Sequence, residues 1–420
     1  MRIITLTKEE FNSFSNKHKL NSYYQSSEYA EFAKLNEQYN VHYLGFLDDN
    51  DTLIGAALML YKSLFWGYKF AYSPRGMLIN YENDDVVNAI SQGLKKLLKK
   101  QKYIFITIDP LIVASDRDQN GEIIKFNESV NRILTNFKQN GYEHLGFNLY
   151  NETKLPRWNV VAKLNNDGRV IYNNFSDKIK KKLNYSNSIG ITVEEDKDID
   201  IDAFYEFVKS SYGKGGKKLF TNLKIAFGPS NKIKIFYAKL NTKKYVENAN
   251  KLYTVEEERN IELANIIQSG DNISNDIQRA VNDKLTSDEL LHAYKKDIVL
   301  STKLLKSKPE GITCGAALVV EDAHGVNILV NYVDNNYSKY NSDTVLTYEI
   351  MKYYGKLGYK YINIGAVTGN FDSNSKYYSM LESKLGFNSS ILEYIGQFNI
   401  ILNPTMYKIY KKKYKKNTKK

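Results

Sequence analysis

Between residues 84 and 100, apolar side chains fall at Val86, Val87, Ile90, Leu94, Leu97 and Leu98, the three-to-four spacing of a helix with one buried face. After a short break, Tyr103-Ile104-Phe105-Ile106-Thr107-Ile108 is a continuous apolar run of strand length that stops at Asp109-Pro110. Upstream, 41–47 and 53–61 are two apolar runs separated by Asp48-Asp49-Asn50-Asp51, a pattern that predicts a hairpin. Residues 69–72 predict a third strand closed by Pro74 and Gly76, and 28–35 a short amphipathic helix.

The same order returns in the second half. Helices are predicted over 200–212 and 219–227, strands over 233–240, 313–321 and 327–333, a long helix over 342–357 and a strand over 359–364. Tyr359-Lys360-Tyr361-Ile362-Asn363-Ile364-Gly365 parallels Tyr103-Ile104-Phe105-Ile106-Thr107-Ile108-Asp109, so the chain reads as two copies of one mixed α/β unit. A chain of 420 residues also exceeds one typical core.

Between the strands of the second copy lies a charged, proline-free stretch, 241–307. Val246, Ala249, Tyr253, Leu263 and Ile267 share one helical face, and Ile277, Val281, Leu291, Tyr294 and Ile298 share another, with Ser269-Gly270-Asp271-Asn272 between them. An antiparallel helical hairpin of coiled-coil type follows, its face interrupted by Glu256, Asn260 and Lys284. The competing reading is a packed helical subdomain. The predicted organisation is a first unit over 1–155, a second over 156–240 and 308–405, the hairpin over 241–307, and a basic tail over 406–420.

Composition narrows the class. Apolar residues make up 42% and charged residues 25%, as in soluble globular chains. No apolar run reaches the ~18 residues of a membrane span, and residues 1–9 lack the apolar core of a secretory leader. A cytoplasmic protein is expected. The single cysteine, Cys314, sits in an apolar strand and is expected to be a core residue rather than a nucleophile. Five scattered histidines show no metal-ligand spacing, so neither a metal nor a cofactor is expected. Net charge is +12, with eight lysines and no acid in 401–420. Such a tail suits phosphate-rich partners, either tRNA or an anionic membrane surface, or is simply a solvated terminus.

Candidate chemistry gathers in blocks at the two ends. Gln25-Ser26-Ser27-Glu28-Tyr29-Ala30-Glu31-Phe32-Ala33-Lys34 is followed by Tyr72-Ser73-Pro74-Arg75-Gly76. Near the C-terminus stand Gly365-Ala366-Val367-Thr368-Gly369, Ser383-Lys384-Leu385-Gly386-Phe387, Glu393-Tyr394-Ile395-Gly396-Gln397-Phe398 and Leu402-Asn403-Pro404. In order and spacing these blocks resemble the FemABX family of non-ribosomal peptidyltransferases. That resemblance covers about residues 23–412. It implies two tandem acetyltransferase-like units, with the coiled-coil arm of the longer members, and transfer of an amino acid (Gly, Ala or Ser) from aminoacyl-tRNA to the stem-peptide amine of a peptidoglycan precursor. The acceptor would be lipid II or a UDP-linked muramyl-pentapeptide, met at the inner membrane face by a peripheral protein, as a monomer or as a homo- or heterodimer.

Such a transfer needs a placed amine, stabilisation of the developing oxyanion and loss of a proton. By the resemblance, Lys384 stabilises the oxyanion, Asp109 orients or deprotonates the amine, and Lys34 meets the diphosphate of the carrier. Lys214 and Lys217, in Tyr212-Gly213-Lys214-Gly215-Gly216-Lys217, are candidates for a second phosphate contact. Arg75 is a structural or cleft-lining cation, Gly365 and Gly369 bracket a loop where a substrate backbone could come close, and Tyr394 lies in the terminal strand. Simpler readings stand beside these: Lys384 capping a helix that ends at Gly386, Asp109 capping a turn, and Lys34 solvated. The chain departs from the family pattern at Ser27, Tyr29, Ser383 and Gln397, where Pro, Trp, Phe and Glu are usual. Two other functions compete with this one. An acetyl-CoA-dependent acyltransferase would need an Arg/Gln-x-x-Gly-x-Gly/Ala loop, which the sequence lacks; a non-catalytic RNA- or membrane-binding protein would have no use for Asp109 or Lys384.

Overall fold

A computed structural model describes residues 1–150, 152–269 and 275–414. Of the expected features, Ser269-Gly270-Asp271-Asn272 after its first residue and the tail beyond Tyr414 lie outside the described residues. Along the chain run β1 (Arg2–Thr5), β2 (Asn40–Leu47), β3 (Leu53–Ser63), β4 (Lys69–Ser73), β5 (Tyr103–Ile108), β6 (Val113–Arg117), β7 (Ile123–Phe126) and β8 (Tyr142–His144). They are followed by β9 (Trp158–Lys163), β10 (Ile191–Asp196), β11 (Ile233–Leu240), β12 (Ile312–Glu321), β13 (Gly325–Val333), β14 (Tyr361–Val367), β15 (Ser389–Tyr394) and β16 (Phe398–Ile401).

The strands form two mixed sheets, ordered β1-β2-β3-β4-β5-β16-β8 and β10-β11-β12-β13-β14-β9-β15-β6-β7. Each opens with four antiparallel strands and then adds a parallel one, β5 beside β4 and β14 beside β13. The helices Asp84–Lys100 and Ser342–Lys356 make these two parallel crossovers and bury their apolar faces on the sheets. The repeat read from the sequence is therefore a repeat of the fold.

The predicted boundary at 155 does not separate the sheets. β16, from the C-terminal end of the chain, inserts between β5 and β8, with Ile400 opposite both Ile106 and Tyr142. In return, β6 and β7 of the first unit join the second sheet, Asp116 pairing with Leu392. The physical reason is pairing: β5 would otherwise present an open edge of backbone donors and acceptors in the middle of its sheet. A third apolar cluster fuses the units, joining Leu58 and Leu60 of β3 to Leu318 and Val320 of β12 through Phe32, Phe204, Phe220 and Phe227.

The predicted hairpin is present as the helices Thr242–Ser269 and Asn275–Ser307, packed side by side. At 28 residues the first is ~42 Å long. Its seam is partly polar, as the sequence reading anticipated: Asn260 Nδ2 donates to Ser287 Oγ at 3.0 Å and to Asp288 Oδ1 at 2.8 Å. Cys314 is a buried core residue whose thiol burial pushes up to about 12.

Candidate functional site

Strand alternation builds the floor of the site. Along β9, Trp158, Val160 and Ala162 turn into the core, while Asn159, Val161 and Lys163 turn the other way. Register carries that second face across the sheet, from Ala366 of β14 through Asn159 and Leu392 to Asp116 of β6. Opposite it stands the single turn Tyr23–Gln25 of the first unit, with Tyr23 and Tyr24 on the wall. The space between is a cavity of about 740 Å³ with Arg75, Lys19, Lys163 and Lys360 on its walls. Its floor is rich in amides: Asn363 Nδ2 donates to Asn159 Oδ1 at 3.4 Å, and the Gly365 N–H donates to Asn363 Oδ1 at 2.9 Å. Of its two carboxylates, Asp322 is occupied by Gly325 N–H at 2.6 Å, Asn327 Nδ2 at 3.2 Å and Tyr361 OH at 3.1 Å. The buried Oδ1 of Asp116 has no hydrogen-bond partner among the described residues.

Two of the sequence blocks meet at Arg75. Gln25, fully buried, donates from Nε2 to Pro74 O at 2.6 Å and to Ser73 Oγ at 3.3 Å, and its Oε1 accepts from Leu58 N–H at 2.9 Å. The loop closes so tightly on Gln25 that a Cβ on Gly76 would lie 2.2 Å from Ser73 Oγ and 2.7 Å from Gln25 Nε2. Arg75 therefore sits fixed at φ +50°, with Nη2 donating to Pro156 O at 2.6 Å and its guanidinium 4.8 Å from the centre of the Tyr394 ring. Asp109 holds this arrangement from beneath. Its Oδ1 accepts from Arg75 N–H at 2.6 Å, its Oδ2 from Tyr72 OH at 2.8 Å, and Gln397 adds a further side-chain hydrogen bond. Burial pushes the Asp109 carboxyl up, against the pull of the Arg75 charge and these donors. At 3% exposure Asp109 does not line the main cavity; it lines a small neighbouring one with Arg75, Arg157, Tyr394 and Gln397.

Lys384 does not itself line the cavity but reaches Gly365 and Ala366, which do. Its Nζ donates to Ala366 O at 2.6 Å, and the pairing leaves it without a carboxylate partner among the described residues. Burial lowers its ammonium to about 8. Gly365, at φ +119°, makes room: a Cβ there would lie 3.0 Å from that Nζ. Of the candidate residues, Gly365, Arg75 and Tyr394 thus line one cavity together with Ala366, and Lys384 bonds to its wall.

The other expected residues stand elsewhere. Lys34 is exposed on the helix Ser27–Glu37 and pairs with Glu31 at 3.2 Å; Lys217 is exposed and pairs with Asp202 at 2.9 Å; Lys214 is exposed at the start of the helix Gly215–Phe227. None of the three lines the cavity. Nor do they line a separate apolar groove of about 190 Å³, walled by Phe32, Tyr212, Leu219 and Leu223, which shares Tyr23, Tyr24 and Leu329 with the main cavity. Gly369 is a packing glycine, since a Cβ there would meet Trp158 at 2.4 Å.

The sequence reading missed Asn159, Asn363, Asp116, Lys163 and Lys360. Alternation in Trp158-Asn159-Val160-Val161-Ala162-Lys163 marks a two-faced strand, but only the fold tells which face is the floor. It also missed the clamp that holds this corner. Glu393, half-buried, pairs with Arg157 and with Arg117 at 2.8 Å and accepts from Ser115 Oγ at 2.5 Å, tying β9, β15 and β6 together. Burial opposes its charge, yet these hydroxyl and guanidinium partners hold the carboxyl below the usual range.

Comparison with known proteins bears on this geometry. The sequence model of the FemAB family matches residues 6–415. The chain is 23% identical over 419 residues to the aminoacyltransferase FemA of Staphylococcus aureus (strain bovine RF122 / ET3-1), covering 98% of this chain and 97% of the relative. It is 24% identical over 420 residues to a lipid II:glycine glycyltransferase of Staphylococcus aureus, covering 97% and 95%. The crystal structure of FemX superposes with a TM-score of 0.74 at 21% identity over 97% of this chain and 99% of that one, which establishes the fold.

Proposed function

The chain belongs to the FemAB family, and from that premise we propose that it transfers an amino acid from aminoacyl-tRNA to the stem-peptide amine of a peptidoglycan precursor, building an interpeptide bridge. The relatives named lipid II:glycine glycyltransferases support a lipid-linked acceptor. The observation that carries the reading is Lys384: a half-buried ammonium, without a carboxylate partner among the described residues, held by Ala366 O beside the cavity wall. A cation kept out of water in this way is suited to a charge that appears only during reaction.

The acceptor amine attacks the ester carbonyl carbon of the aminoacyl-tRNA. Lys384 stabilises the resulting oxyanion. The bond between the carbonyl carbon and the ribose oxygen then breaks, and the proton lost by the amine balances the one gained by the departing ribose hydroxyl. Arg75, set rigidly by Gln25 and Asp109, orients the acceptor, and Asp109 is a positioning residue. A cavity of about 740 Å³ is of the size that encloses a small-molecule-sized part of a substrate. In this reading Lys34 meets the diphosphate of the carrier, and Lys214 and Lys217 are the candidates for a second contact with it.

The test uses purified protein, tRNA charged separately with labelled Gly, Ala or Ser, and lipid-linked or UDP-linked muramyl-pentapeptide. Label entering the precursor from one tRNA establishes the reaction and names the donor. No label from any of them, with folded protein, overturns the reading.

A further inference from the structure

One corner of the molecule, remote from the cavity, combines exposed aromatic surface with uncompensated positive charge. The turn between β3 and β4 carries Leu64-Phe65-Trp66-Gly67, closed by Leu64 N–H donating to Tyr68 O at 2.6 Å. Trp66 stands at its tip, 73% exposed and at φ +55°, a backbone region that bulky residues rarely adopt. Beside it lies the helix Pro404–Tyr414. That helix turns Met406, Tyr407 and Tyr410 onto Ile104 and Phe105, and its opposite side carries Lys408 and Lys412, both exposed. Tyr414 stacks on Phe65 at 6.4 Å between ring centres, and Lys413 Nζ lies 4.7 Å over the same ring, so turn and helix form one surface. Only Lys411 of this group has an acidic partner, Glu143, among the described residues.

We propose that this corner is a docking surface for an anionic lipid bilayer, with Trp66 entering the interface and Lys408, Lys412 and Lys413 facing the headgroups. Tryptophan favours the boundary between headgroups and acyl chains, where its ring is apolar and its N–H stays wet. Lysines that flank such an anchor add attraction to an anionic leaflet. The pattern is less suited to nucleic acid: Phe65, Tyr410 and Tyr414 are stacked on one another or on Phe105 and do not offer free faces to bases. The surface lies at the start of β4, and Arg75 follows that strand's end, so the cavity stands ~20 Å from the proposed bilayer at ~3.3 Å per residue. An extended five-residue stem spans ~17 Å. The inference goes beyond the proposed transfer, and its test needs no substrate.

The chain has two tryptophans, and Trp158 is only 3% exposed, so the emission of Trp66 reports on the surface directly. Wild-type protein is mixed with vesicles of phosphatidylcholine alone, with vesicles containing an equal share of phosphatidylglycerol, and with uncharged tRNA. The expected result is a blue shift and co-sedimentation with the phosphatidylglycerol vesicles only, weakened by salt. Trp66→Phe should remove the shift, and Lys412→Glu and Lys413→Glu should each weaken binding at least ~5-fold, with unchanged circular dichroism. An unshifted wild-type spectrum with protein left in the supernatant overturns the proposal. So does a shift given by tRNA and not by vesicles, which would make the corner an RNA surface.

Discussion

Gln25 Nε2 donates to the Pro74 carbonyl at 2.6 Å, and this bond couples the N-terminal block of the chain to the loop that presents Arg75. The same side chain accepts from Leu58 N–H, so one buried amide fixes a loop to a strand. Replacing it with Leu leaves the Leu58 N–H and Pro74 C=O buried without partners. The expected loss is ~3 kcal/mol of unfolding free energy, read as a lower urea midpoint with unchanged slope.

Asp109→Asn tests the positioning role. The amide cannot accept from both Tyr72 OH and Arg75 N–H as the carboxylate does, and the buried guanidinium loses its nearest counter-charge. We expect a loss of ~2 kcal/mol in urea unfolding. Transfer should fall at least ~10-fold, mainly through a higher KM for the acceptor. A lower kcat with unchanged KM and unchanged stability would instead return Asp109 to the chemical step.

Lys384 should set stability against activity. Its folded value is depressed to about 8, so between there and its ordinary range the unfolded chain binds more protons, and stability from this group rises with pH. Lys384→Met lacks that term. The variant should therefore gain on the wild type in Tm at pH 7, with the difference narrowing as pH rises through 8 toward 10. Transfer by the variant should be at least ~10-fold slower at neutral pH, and wild-type transfer should decline as pH rises through about 8.

Two glycines from one sequence block should part ways. Gly365→Ala forces a Cβ at φ +119° and places it 3.0 Å from Lys384 Nζ, so we expect ~1–2 kcal/mol of destabilisation together with a disproportionate loss of transfer. Gly369→Ala meets the Trp158 ring instead. It should lower stability by a comparable amount and change the emission of that buried indole, while residual transfer tracks the folded fraction.

Asn260 tests what the polar seam of the arm is for. Asn260→Leu removes bonds to Ser287 and Asp288 and adds apolar area, which should raise the thermal stability of the hairpin while loosening the choice of helix register. Cross-linking of cysteines introduced at 253 and 295, which face each other across the two helices, compared with pairs offset by one turn, reads that choice in wild type and in Asn260→Leu. A single cross-linked pair in the Asn260→Leu variant would show that packing alone fixes the register.

Much of this fold could be read along the chain. The helix at 84–100 and the strand at 103–108 appear with the boundaries their periodicity predicts, because both are long, apolar and ended by clear breaks. The arm was legible from the helical spacing of its few apolar positions and its lack of proline. Strand partnership was not: an alternating or apolar run states that a strand exists and says nothing about its neighbour, so the pairing of Ile400 with Ile106 was invisible. At the site, Arg75, Gly365 and Tyr394 come from separate sequence blocks and line one cavity. Asp109 was recognisable as a carboxylate at a strand end, but its burial beneath Arg75 depends on Tyr72 and Gln397, which come from two other strands or their ends. The lysines at 34, 214 and 217 show the opposite limit, since a surface cation carries no mark in the sequence of what lies across from it.

The exchange of strands between the sheets bears on how the protein is made. A ribosome releases β1 to β5 early, yet the central place between β5 and β8 stays vacant until Phe398–Ile401 emerges, after the whole arm. The N-terminal half must then wait, part-formed, through the translation of the arm, and the arrival of β16 is the step that completes the first sheet.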